Sequence, residues 1–301
     1  MLATVAFLLP TLFWDGSADS ADLLRKAGIQ KLDVPPGREE AWRKLGFDAS
    51  AFDRAGAAQA TAPRVEYHMD VASATRVPWV DANGWQFERR PQNAYFYDAP
   101  AGAAALAAAE AFAYGVHAAI HAVPEDLPVL ARMLNFLERI GQPALPVRAN
   151  IGVIDDGSDA MGEVLNLMAR HNLLFQVIPA VDPRYDVIVR PGEDISDPYQ
   201  FAMQVRRRLT DPKRLVRIYG SNVVLVRLTG DGSRTRVHLL NYGGAAVQGL
   251  RVRVRGSFQH ATLSAFAHPK ADLQDYTSDD EATEFTVPEL DTYAVIDLTT
   301  R

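Results

Sequence analysis

The sequence predicts an α/β fold, parallel strands with helices in a barrel-like or open arrangement, followed by a C-terminal all-β sandwich. Two observations carry this. Over the first two thirds, short apolar β-rich runs alternate with helix-like segments of roughly 10 to 15 residues, the pattern of parallel strands joined by crossover helices. From Val216 onward helical periodicity disappears, and β-rich runs recur at short spacing between turn signals such as Gly230-Asp231-Gly232 and Gly243-Gly244. The texture changes at Thr210-Asp211-Pro212.

In chain order, Thr4–Trp14 reads as a buried strand ended by Asp15-Gly16. Its competing reading is the core of a signal peptide with Gly16-Ser17-Ala18 as a cleavage site, although no positive n-region precedes it. Ser20–Ala27 reads as a helix stopped by Gly28, Lys31–Val34 as a strand, and Pro36–Leu45 as a helix closed by Gly46. The Ala/Gly-rich stretch 48–63 reads as loop, Val65–Asp70 as a third strand, and Ala94–Tyr97 as another. Helix Ala101–Tyr114, strand Ala118–Val123 and helix Leu127–Ile140 continue the alternation. Then come strand Ile151–Ile154, helix Ala160–His171, strands Phe175–Ile178 and Asp186–Val189, and helix Pro198–Leu209. In the C-terminal part, Leu250-Arg251-Val252-Arg253-Val254-Arg255 alternates strictly and puts three arginines on one strand face.

Composition narrows the function classes. Of 301 residues, 48% are hydrophobic and 23% charged, as in ordinary globular proteins, and the net charge is −6 with no block of Lys or Arg. A nucleic-acid groove is therefore not expected. There is no cysteine, which excludes disulfides, thiolate metal sites and a Cys nucleophile. The longest uncharged runs, Met1–Trp14 and Ala111–Pro124, have 14 residues each, too short for a membrane span. No membrane partner is expected. The compartment, cytoplasmic or exported, is not assigned, and a homo-oligomer is left open.

Ligands of parallel α/β folds bind at the carboxyl ends of the strands. The residues there are acidic: Asp15, Asp70, Asp98 and the pair Asp155-Asp156. Converging carboxylates are what glycoside hydrolysis needs, one as the acid on the leaving oxygen and one as nucleophile or base for water. The competing structural reading, an Asp that caps the next helix or makes an Asx-turn, applies to each singly and most strongly to Asp155-Asp156. Alternation also puts Glu66, His68 and Asp70 on one face, at a barrel mouth or on an exposed edge.

Residues 71–90 form the longest predicted loop. In it Trp79 and Trp85 flank Asp81 and Asn83, with Arg76 nearby: aromatic faces to stack on a sugar ring and polar groups for its hydroxyls. Otherwise the two tryptophans pack the loop onto its domain. The candidate catalytic pair is Asp70 and Asp98. The candidate ligand-binding residues are Asp15, His68, Arg76, Trp79, Asp81, Asn83 and Trp85. His117 and His121, four apart across a strand start, are assigned to structure, and no metal or cofactor is expected. Neither a dinucleotide fingerprint nor a G-x-S-x-G elbow is present.

Several segments together resemble a known family. Ile151-Gly152-Val153-Ile154-Asp155-Asp156, Glu163-Val164-Leu165-Asn166-Leu167-Met168, Phe175-Gln176-Val177-Ile178 and Tyr185-Asp186-Val187-Ile188-Val189 are similar to an amidotransferase-like α/β domain. Val237-His238-Leu239-Leu240-Asn241-Tyr242 and Phe285-Thr286-Val287-Pro288-Glu289-Leu290 resemble strands of a small β-sandwich. In that order, behind an α/β barrel, they resemble multi-domain glycoside hydrolases of the β-galactosidase type.

The resemblance implies a barrel-like domain at 1–145, an amidotransferase-like segment at 146–212 and a sandwich at 213–301. It also implies a protein acting on oligo- or polysaccharide through two carboxylates. The alternative is a noncatalytic carbohydrate-binding or assembly protein built from degenerate glycosidase domains. A full (βα)₈ barrel needs about 250 residues. Either the barrel is truncated, or the 146–212 segment supplies three strands to close a compact one.

Overall fold

The computed structural model describes residues 9–69, 76–141, 143, 145–190, 192 and 195–300. The chain forms two compact units. One holds the chain up to Pro63 and again from Arg90 to Gln142; the other holds Arg64–Arg89 and everything from Pro143 on.

The first unit is built on a six-stranded, all-parallel sheet. Its spatial order is Asp48–Ala51, Lys31–Val34, Thr11–Phe13, His117–Ala122, Ala94–Ala99 and Ala58–Ala60. Register aligns Leu32, Leu12, Ile120 and Tyr97 across four strands, and all four are buried. Tyr97 donates its hydroxyl to buried Glu110 of helix Ala104–Tyr114, at 2.7 Å, which identifies this as the helix-covered face. That helix is alanine-rich and almost wholly buried, so its backbone approaches the sheet closely. Helix Leu127–Ile140 is amphipathic, buries Leu127, Leu130, Met133 and Leu137, and packs beside it. Gly28 and Gly115 take the left-handed conformation that ends their helices. Alternation sends Phe13, Asp33, Phe96, Asp98, Ala119 and His121 to the opposite face, where Phe13, Phe52, Phe96 and Ala119 form a small apolar cluster.

The second unit begins with an antiparallel hairpin, Arg64–Met69 against Arg76–Asp81, and helix Gly84–Arg89. A three-stranded parallel sheet follows in the order Phe175–Val177, Ile151–Val153, Val187–Val189. It shares one apolar core with helices Asp159–Arg170 and Pro198–Leu209. Two four-stranded antiparallel sheets complete the unit. One runs Val216–Tyr219, Val247–Arg255, Ala282–Leu290, Gln274–Ser278; the other runs Val224–Gly230, Arg234–Asn241, Tyr293–Thr299, His260–Ala265. Val226, Leu239 and Ile296 of one meet Val252, Phe285 and Val287 of the other in a common core. Among the described residues no helix lies beyond Leu209.

Charged groups are built into this unit. Glu88 pairs with Arg227 at 3.0 Å, both side chains close to nine-tenths buried, and burial raises the Glu88 carboxyl although Arg227 opposes the shift. His238, fully buried, has Nδ1 2.7 Å from the Tyr293 hydroxyl. Arg236 donates twice to Asp297 at 2.7 Å.

Four expectations are corrected. The stretch 48–63 is not loop, since Asp48–Ala51 and Ala58–Ala60 both join the parallel sheet. Small residues suit these short strands because little must be packed at a sheet edge. Val65–Asp70 is not a parallel member: Arg64–Met69 pairs antiparallel with the segment after it, and Asp70 lies outside the described residues. Within the predicted loop 71–90, the described part is strand Arg76–Asp81 and helix Gly84–Arg89. Finally, the 146–212 strands form their own sheet, so no eight-stranded barrel closes. Residues 1–8, which hold the first part of the predicted strand Thr4–Trp14 and of the signal-peptide alternative, lie outside the described residues.

Candidate active site at the carboxyl end of the parallel sheet

The central strands of the first unit end beside three polar side chains, those of Asp15, Asp98 and His121. Phe13, His121 and Asp98 share a register, so Asp98 and His121 point to the same face from adjacent strands. His121 Nδ1 lies 2.8 Å from Asp98 Oδ1, and its Nε2 lies 3.9 Å from Asp15 Oδ1. The one imidazole thus spans both acids, and the two carboxylate oxygens stand no more than about 9 Å apart, within the separation two-carboxylate chemistry uses.

Local structure fixes each member. Asp15 follows the first strand. Its backbone is held on one side by the Trp14 amide, which donates to Asp33 O at 2.8 Å, and on the other by Arg38, which donates to Asp15 O at 2.7 Å. The Trp14 indole donates to Ser20 Oγ and lies over Gly16, where a Cβ would come within 2.5 Å of the ring nitrogen. Glycine is therefore required for the turn that presents Asp15. Arg54 lies over the Phe96 ring at 4.4 Å and reaches 3.9 Å from Asp98 Oδ2. The side chains of Asp15, Asp98 and Arg54 are 53%, 64% and 47% exposed, and that of His121 is 32% exposed. Two carboxylates, an imidazole and a guanidinium thus converge on open solvent, offering donors and acceptors to a hydroxylated ligand. Deeper on the same face, burial raises the Asp33 carboxyl, against the lowering effect of the Thr11 hydroxyl that donates to it.

Of the residues singled out from sequence, Asp15 and Asp98 are brought together. Asp70 lies outside the described residues, and the others belong to the second unit. His68 and Arg76 sit in the paired strands of the hairpin. Trp79 lies on the same hairpin with the Arg170 guanidinium 3.3 Å over its ring. Asp81 pairs with Arg64, Asn83 is fully buried, and Trp85 packs against the core beside Gly162. Asp155 accepts two bonds from Arg89, and Asp156 accepts from the Ser158 amide while Ser158 caps its helix, the structural reading given to that pair. From sequence, His121 is assigned to structure, and Arg54 and Asp33 are not singled out. For His121 the signal was present: in His117-Ala118-Ala119-Ile120-His121-Ala122, period two puts both histidines on one face. Among the described residues no group of three or more His, Asp or Glu side chains is placed to hold a metal ion, and no helix is long and apolar enough to cross a membrane.

No protein-family model and no curated protein matches the sequence. Solved structures do. An alpha-L-fucosidase isoenzyme 2 from Paenibacillus thiaminolyticus superposes with a TM-score of 0.54 at 7% identity, over 69% of this chain and 61% of that one. The chain has a glycosidase-like fold. A β-galactosidase from Bacillus circulans sp. alkalophilus follows at TM-score 0.41 and 8% identity, over 89% of this chain and 63% of that one. A β-galactosidase from G. stearothermophilus follows at 0.38 and 8%, over 96% and 63%. The chain therefore spans about three fifths of the length of these structures.

Proposed function

We propose that the chain is a glycosidase-like carbohydrate-active protein whose ligand site is the carboxyl end of the parallel sheet. The observation that supports this most is the bridging of Asp15 and Asp98 by His121 in a fold similar to that of a fucosidase. In the catalytic form of this reading Asp98 is one carboxylate. Its partner within the first unit is Asp15, which is within reach across the imidazole; Asp70, the partner the sequence suggests, lies outside the described residues. His121 orients Asp98, and Arg54 offers a donor beside it. Residues 1–145, 146–212 and 213–301 are proposed as the barrel-like, amidotransferase-like and sandwich parts, with Arg64–Arg89 travelling with the later two. His68, Arg76, Trp79 and Asp81 are retained as proposed ligand contacts of the hairpin, apart from the sheet site; fully buried Asn83 and core-packed Trp85 take the structural reading.

A second reading, noncatalytic carbohydrate binding, is favoured by one observation: Asp15 and Asp98 are both more than half exposed. A general acid at neutral pH needs burial to raise its pKa, whereas solvated carboxylates serve well as acceptors for sugar hydroxyls. The two readings separate in one experiment. Hydrolysis of aryl glycosides and binding of oligosaccharides are measured for the native chain and for Asp98→Asn and Asp15→Asn. A catalytic pair loses hydrolysis by about 100-fold or more in each variant. A binding site shows no hydrolysis in the native chain and weaker binding in the variants. Native hydrolysis and binding in both variants would overturn the site.

A further inference from the structure

We propose that the groove at the C-terminal end of helix Pro198–Leu209 binds the carboxylate of an acidic sugar, with Asp211 as the built-in counter-ion that the ligand displaces. The proposal rests on the carbohydrate reading only in choosing a sugar carboxylate over other carboxylates.

The groove has a volume of about 500 Å³ and is lined by Tyr199, Arg206, Arg207 and Asp211 among others. Its charge is unbalanced. Three guanidiniums surround the one Asp211 carboxylate, Arg217 at 3.6 Å, Arg214 at 3.8 Å and Arg206 at 4.0 Å. All three distances are those of loose ion pairs, longer than the 2.7–2.9 Å of a charge-assisted hydrogen bond. Arg207 joins Arg206 as a second cation of the lining itself.

Arg214 is the fixed member. It is 8% exposed and donates to His171 O at 3.0 Å, yet its Nε is buried with no hydrogen-bond partner. Arg214 lies outside the groove's lining and fixes a positive charge 3.8 Å from Asp211 Oδ1. Arg217 stands directly opposite Arg253 on the neighbouring strand, where Arg253 has Glu284 at 3.7 Å, so the Asp211 carboxylate is the acid left to Arg217. His171 reports the same field. Burial first, and then Arg170, Arg206 and Arg214, push its imidazole down to about 4.

The ligand class follows from the shapes. Guanidinium forks suit planar carboxylates. Tyr199, half exposed on the groove wall, offers an aromatic face of the kind that stacks on a sugar ring.

The test titrates the full chain with glucuronate, glucose and inorganic phosphate by calorimetry at low salt. Circular dichroism melts confirm that each variant is folded. Glucuronate is expected to bind and glucose not to bind at this groove. Arg206→Gln with Arg207→Gln is expected to weaken glucuronate by about tenfold or more. Asp211→Asn is expected to tighten it by about threefold or more, because the competing carboxylate is gone. A purely structural Asp211 gives no such gain. Unchanged glucuronate affinity in the double variant, weaker affinity in Asp211→Asn, or binding of phosphate without glucuronate each overturns the proposal. Loss of neutral-sugar binding at the parallel sheet, with Asp211-dependent glucuronate binding intact, overturns the first site and leaves this one standing.

Discussion

The carboxyl end of the parallel sheet and the interior around the sandwich use the same residue types to opposite ends. At the sheet, His121 lies between Asp15 and Asp98, with Arg54 beside them, and water reaches all four. In the sandwich unit, His238 is sealed against Tyr293, and Glu88 and Arg227 face each other with little exposure. Chemical identity does not separate the two sets; solvation does. A buried polar group must spend its hydrogen bonds on its neighbours, because leaving them unmade costs more than they return. An exposed one can exchange water for a ligand at small cost. The parallel topology supplies such positions because all its strands end on one side, whereas antiparallel strands distribute their ends to both.

Stability measurements test this contrast. The largest effect belongs to Glu88→Ala, which strips a buried cation of its partner and is expected to cost about 3–5 kcal/mol in urea denaturation. A loss below about 1 kcal/mol would mean that water already solvates the Glu88–Arg227 pair.

Next comes an acid-dependent term from His171. Its folded value of about 4 lies below the unfolded 6.5, so the unfolded chain takes up the proton first as pH falls. The contribution is complete above pH 6.5 and is lost progressively towards pH 4, by up to roughly 3 kcal/mol. His171→Gln should flatten the stability curve across that window, and an unaltered slope there would assign it to other groups.

Trp79→Ala, which removes the ring beneath Arg170, is expected to cost about 1 kcal/mol. Asp15→Asn and Asp98→Asn should each change stability by no more than about 0.5 kcal/mol while altering ligand binding. A large destabilisation by either would move the sheet cluster into the same class as the sandwich pairs.

Sequence reading succeeded where one periodicity ruled a segment. Lys31–Val34, Leu127–Ile140, Pro198–Leu209 and Val216–Tyr219 are elements with the expected bounds. Their apolar spacing, and for the helices a Pro start or Gly stop, leaves little choice. Asp48–Ala51 and Ala58–Ala60 were missed because alanine and serine carry no strand signal, and only neighbouring strands hold them in the sheet. Asp15 and Asp98 could be placed from the rule for strand ends. Arg54 could not, since its position depends on Phe96, 42 residues later in the chain. The two tryptophans drew attention by type, but Trp85 serves the core and Trp79 faces a guanidinium, contacts made with helix Asp159–Arg170 and so invisible locally. The arginines around Asp211 were overlooked for a related reason. They are close in sequence, from Arg206 to Arg217, but only the turn between a helix end and a strand start gathers them round one carboxylate.

The strand order of the parallel sheet also bears on how the chain is made. Thr11–Phe13 has His117–Ala122, the last strand of the unit to be synthesised, as its neighbour on one side. While the ribosome is still translating the region in between, the first three strands have an open hydrogen-bonding edge where that central strand belongs. The hairpin and helix of Arg64–Arg89 likewise emerge long before the chain beyond Pro143 with which they form a unit. Each unit thus waits on a late arrival, and long-range parallel pairing is intrinsically slow to form. A truncated nascent chain released before residue 117 should expose the apolar edge and associate with itself, whereas one released after residue 142 has that edge closed and leaves only Arg64–Arg89 without its unit.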